Sequence, residues 1–239
     1  MKKTISNEVV AGWGFRNRRG AQKAGTSSFA LLMAIGMAGM RGLGLLAMLT
    51  ATGDAFARQN NRGTALAIRV QVQDYAQVPH KMLEQAERVS TDILADTGIQ
   101  LSWVNCPAAG CLEPILPAEL DLRILPQSMA ERLPASNDAL GFTWVSTEKG
   151  PCYLANVLYH RVEMLADALA CPRADILGYV MAHELGHLLL RSSAHSGIGI
   201  MRARATRKDL LHPWGFTPAQ ARHMRADVST RTGAGNLIQ

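Results

Sequence analysis

Apolar and polar residues alternate over residues 65–73 (ALAIRVQVQ), the two-residue period of a half-buried strand. Over 78–96 the apolar spacing becomes helical, through Met82, Ala86, Val89 and Ile93, and Gly98 ends the pattern. Residues 99–104 and 120–125 predict two more strands, and 141–145 and 153–159 a further two. Residues 160–169 predict a short helix or turn. Pro172 then precedes the run 176–190 (ILGYVMAHELGHLLL), which is apolar on every side and so predicts a buried helix rather than an amphipathic one. A loop with Gly197 and Gly199 follows, and Thr217, just before Pro218, caps a last helix reaching about Val228. The tail, 233–239, carries no pattern. Strand, helix, several strands, buried helix, loop and final helix make an α+β domain of about 180 residues, enough for one sizeable core.

The buried helix carries a single formal charge, Glu184, beside His183 and His187. A carboxylate between two imidazoles in an apolar setting is costly unless something compensates it, and a divalent cation does. Residues four apart share a helix face, so both histidines can reach one ion. Glu184 points about 100° away, where it can hold water without ligating the ion. This is the HExxH arrangement. The motif is short and occurs by chance in helices that bind no metal; here the near absence of other charge favours ligation.

Catalytic zinc takes three protein ligands and keeps one open position. No glutamate follows Glu184, which leaves His195, His212, His223, Asp209 and Asp227 as third-ligand candidates. His195 is preferred. It lies eight residues after His187, beyond the helix end, where residues 191–194 can turn the chain back. Met201 follows after glycines that permit a tight turn.

Together, HELGHLLLRSSAHSGIGIM (183–201) resembles the metzincin clan of zinc peptidases. The resemblance implies zinc ligation by His183, His187 and His195, a general-base role for Glu184, and a methionine turn at Met201 beneath the metal. It also implies a zincin-like α+β fold: a mixed twisted sheet, a long helix after the first strand, a central active-site helix, and a small C-terminal subdomain ending in a helix. By clan analogy, the strand near 153–157 would offer an edge for an extended peptide. The usual HExxHxxGxxH pattern would put glycine at Leu190 and histidine at Ser193. Here the third histidine comes two residues late, the turn glycine is missing, and no tyrosine follows Met201, as in a divergent bacterial variant.

Residues 1–57 read as a leader. A basic start (Lys2, Lys3, Arg16, Arg18, Arg19, Lys23) precedes an apolar stretch split by Arg41, and Ala55-Phe56-Ala57 is a small-x-small cleavage pattern. A start at Met40 would give a compact signal peptide. The alternative is an uncleaved membrane anchor. On this reading residues 58–239 form one exported catalytic domain, periplasmic or extracellular.

The leader holds 7 of the 25 Lys/Arg but only 2 of the 19 Asp/Glu, so the remainder is near neutral despite the formal +6 of the whole chain. That argues against nucleic acid as a partner, although residues 191–239 are locally basic. All four cysteines follow the cleavage pattern, and an even count in an exported chain suggests disulfides. Three connectivities are open; the favoured one is Cys106–Cys111 and Cys152–Cys171.

The function expected is a zinc-dependent endopeptidase acting on peptide or protein. Two alternatives stand beside it: a zinc-stabilised binding or scaffold protein without turnover, and a binder of anionic surfaces through the basic C-terminal region.

Overall fold

A computed structural model describes residues 66–107, 111, 115–136, 138–145, 153–211 and 215–233, and the backbone of 9–14. The rest of residues 1–57, expected as a leader and including Met40 and the Ala55–Ala57 pattern, lies outside the described residues, as do Cys152, His212 and 234–239. By its contacts the chain divides into Met1–Arg16 with Thr64–Gln239, and Asn17–Gly63. The second unit lies wholly outside the described residues. Among the described residues, no helix is long and apolar enough to cross a membrane.

The strands are β1 (Val9–Gly14), β2 (Leu66–Asp74), β3 (Ile99–Asn105), β4 (Glu119–Leu125), β5 (Ala139–Val145) and β6 (Leu154–Leu158). They form one mixed sheet in the order β1-β5-β6-β4-β2-β3. β3, β2, β4 and β6 run parallel, whereas β5 is antiparallel to β6 and β1 antiparallel to β5. The helices are α1 (His80–Ala95), α2 (Gln127–Ala130), α3 (Tyr159–Leu169), α4 (Arg173–Leu190), α5 (Arg207–Leu211) and α6 (Pro218–Arg231).

Alternation in β2 separates the two faces of the sheet. Ile68, Val70 and Val72 enter the main core with Leu120, Leu122 and Ile124 of β4 and with residues of α1, α4 and α6. The intervening positions make a polar ladder. Gln71 donates to Glu119 and Gln73 to Asp121, each at 3.0 Å, and Arg69 pairs with Glu119. A smaller cluster of Leu125, Ala130, Phe142 and Leu158 lies apart from the main core, under α2.

α4 runs through the core. Every residue from Ile176 to Leu189 is buried, as the all-round apolar pattern predicts. α6 starts at a capping box: Thr217 Oγ1 accepts from Gln220 N, and the Gln220 side chain accepts from Thr217 N.

Two expectations change. β6 lies between β5 and β4, so residues 153–157 offer no free edge; the sequence shows a strand but not its neighbours. Cys106 and Cys111 are bonded, but Cys171 is a free buried thiol rather than the partner of Cys152. Residues 9–14, inside the expected leader, pair as a strand with β5. The short helices α2 and α5 add to the predicted set.

Candidate metal centre

α4 places His183 and His187 one turn apart, with their Nε2 atoms 3.1 Å from each other. Each ring is fixed from behind by a backbone carbonyl. His183 Nδ1 donates to Ile200 O at 2.8 Å and His187 Nδ1 to Ser192 O at 2.7 Å. A carbonyl only accepts, so both protons sit on Nδ1 and both Nε2 atoms present lone pairs. Burial holds both rings neutral, with His183 far below the ordinary histidine range and His187 lowered to about 4. Two lone pairs facing each other at this distance repel. A cation between them turns the repulsion into ligation, and backbone-oriented imidazoles are how proteins hold such an ion.

His195 completes the cluster. One ligand atom from each of His183, His187 and His195 lies within 4.8 Å of the others. Its ring stacks on His183 (centroids 5.4 Å apart) and meets His187 edge-on (4.9 Å). Its Nε2 is buried without a hydrogen-bond partner. Tetrahedral zinc, about 2.0–2.1 Å from each nitrogen, spaces its ligands roughly 3.3 Å apart. The 3.1 Å pair fits that spacing. Three neutral imidazoles also suit zinc chemically.

The Glu184 side chain meets β5. Thr143 Oγ1 donates to its Oε2 at 2.8 Å, whereas its Oε1 is buried with no partner. Burial pushes the carboxyl up to about 8, and the Thr143 bond works against that rise. Gly141 forms the adjacent wall. A Cβ there would lie 2.7 Å from Glu184 Cγ and Oε1, so only glycine lets the strand approach so closely.

Beyond α4 the chain reverses at Arg191, which takes the left-handed conformation (φ 49°) often filled by glycine. The returning loop pairs with itself: Ser196 N donates to Met201 O at 2.7 Å, and Ser196 bridges to Arg202. Met201 packs beneath the helix at Gly186, where a Cβ would meet Met201 Sδ at 2.6 Å and Phe216 Cε1 at 2.7 Å.

Of the other third-ligand candidates, Asp209 pairs with Arg202, Asp227 with Arg231 and Arg191, and His223 lines a separate small cavity with Leu189 and Asp227. Among the described residues, none of these three belongs to the imidazole cluster; His212 lies outside the described residues. Sequence reasoning missed Thr143, Gly141, Phe216 and the carbonyls of Ser192 and Ile200. A strand threonine carries no signal of its role, and a backbone carbonyl carries none at all.

No protein-family model matches the chain, and no curated protein matches it. Among solved structures it is similar to a zinc-dependent peptidase from Methanocorpusculum labreanum, at 15% identity and a TM-score of 0.44, covering 66% of this chain and 99% of that one.

Proposed function

We propose that the chain is an exported zinc-dependent endopeptidase, with His183, His187 and His195 holding the ion and Glu184 acting as general base. The observation behind this is the imidazole cluster, with the Nε2 atoms of His183 and His187 3.1 Å apart and one ligand atom from each of the three rings within 4.8 Å of the others. Zinc, when bound, supplies Lewis acidity toward water and a scissile carbonyl.

The remaining work falls to the chain's own groups. The Ser192 and Ile200 carbonyls keep both helix imidazoles in the ligating tautomer. Thr143 fixes Glu184 Oε2, which leaves Oε1 to take a proton from attacking water and pass it to the departing amine. The β5 edge beside Glu184 takes an extended segment, residues 9–14 in this structure. A substrate peptide would pair there once the leader is gone. Glu184 beside the histidines favours an enzyme over a zinc-stabilised scaffold, because a purely structural zinc site needs no base.

The test is zinc content together with cleavage of a peptide library. Glu184→Gln should retain zinc and cleave about 10²–10⁴-fold more slowly. Cleavage that survives both Glu184→Gln and chelation would overturn the mechanism. Four protein ligands on bound zinc would favour the scaffold.

A further inference from the structure

Asp209 and Asp227, the acidic candidates outside the imidazole cluster, sit at the two ends of the loop that carries its third member. That loop begins at Arg191 and ends at Arg202. Arg202, directly after Met201, places Nη1 3.2 Å from both carboxylate oxygens of Asp209. Asp209 is only 4% exposed and is itself fixed by Thr206, whose N–H and hydroxyl donate at 2.7 and 2.8 Å. At the other end, Arg191 Nη1 lies 3.8 Å from Asp227 Oδ1, and the second oxygen of Asp227 accepts from Arg231 Nε.

Between the two arginines lie His195, both carbonyls that orient the helix imidazoles, and the Ser196–Met201 bond. We propose that Asp209 and Asp227 are positioning residues of the metal centre. Each clamps one end of the loop through its arginine, and so sets where His195 and the Ser192 and Ile200 carbonyls stand. The proposal rests on the zinc reading of the imidazole cluster.

In each clamp only the carboxylate is buried: the Asp209 and Asp227 side chains are 5% and 7% exposed, against 39% and 41% for Arg202 and Arg191. Arg204–Asp138 supplies the contrast within the same region, because its carboxylate is exposed as well as its guanidinium, at 49% and 50%.

The experiment uses the full chain with Arg202→Met, Arg191→Met and, as control, Arg204→Met. Zinc affinity is measured by competition with a chromogenic chelator. Amide exchange of residues 192–201 is measured without metal, relative to amides within α4, so that loop release is separated from general loss of stability. Both clamp variants should weaken zinc about 10–100-fold, the range for residues that support ligands, and speed loop exchange relative to α4. Arg204→Met should do neither, and Arg202→Lys should recover part of the affinity. Unchanged affinity and loop exchange in both clamp variants would overturn the proposal. If the wild-type chain takes no zinc, the metal reading fails by itself. Loop exchange then decides the clamp alone: faster exchange keeps it, and unchanged exchange removes it.

Discussion

Two of the three imidazoles come from a buried helix and the third from a loop, and the two sources solve the same placement problem differently. In α4, His183 and His187 need only the four-residue spacing of the helix, and the core on every side fixes the rest. The loop has no such period. It places a half-buried His195 through a left-handed turn at Arg191, a backbone bond from Ser196 to Met201, and an arginine anchored at each end. A helix specifies position by repetition, whereas a loop must specify it bond by bond.

The contrast is open to direct trial. The largest effect should come from the ligands themselves. His187→Ala should abolish stoichiometric zinc binding. His195→Ala should weaken it by more than the roughly 10–100-fold typical of a supporting residue. Zinc retained at full affinity in His195→Ala would mean that the loop supplies no ligand. In that case His212→Ala and His223→Ala become the informative variants.

Next comes the pH dependence of the metal-free chain, an effect of a few kcal/mol at about 1.4 kcal/mol per pKa unit. His187 is lowered from 6.5 to about 4. The unfolded chain therefore binds protons there that the folded chain refuses, and stability falls as pH drops from 6.5 toward 4. Glu184, raised from 4.5 to about 8, acts in the opposite sense. Its stabilising contribution is complete below 4.5 and is lost as pH rises through 8. Thermal unfolding without metal should thus peak between these limits. Added zinc should raise stability most on the alkaline side, because imidazole ligands must be unprotonated. A zinc-free profile that is flat from pH 4 to 9 would contradict the burial of these groups.

The smallest effect tests the contact between helix and loop. Gly186→Ala puts a methyl group against Met201 and Phe216 and should cost about 1–3 kcal/mol by overpacking. Part of that is offset by the better helix propensity of alanine. A denaturant midpoint unchanged from wild type would show that the methionine turn does not bear on the helix.

Legibility in the sequence divides along the same line. The strand over 66–74, the helix α1 and the buried α4 are readable because each repeats a period over many residues. The His183–Glu184–His187 spacing is readable for the same reason. His195 is reached only through its order after His187 and the glycine-methionine pattern that comes after it. α2 and α5, with 4 and 5 residues, are too short to show a period.

The interior place of β6 and the free Cys171 depend on which strands and loops become neighbours, and no local pattern records that. Asp209 and Asp227 are visible as acidic residues near the motif. Their arginine partners lie seven and thirty-six residues away, so their roles appear only in the folded chain.

The self-paired loop has a further consequence. Ser196 bonds to Met201 and both helix imidazoles rest on carbonyls, so bonds of the chain itself set where the rings stand. Small zinc domains that collapse when chelated must refold to recapture their metal. On the proposed zinc reading, chelation should therefore leave the fold intact, and zinc should bind again without any renaturation step; unfolding on chelation would contradict this.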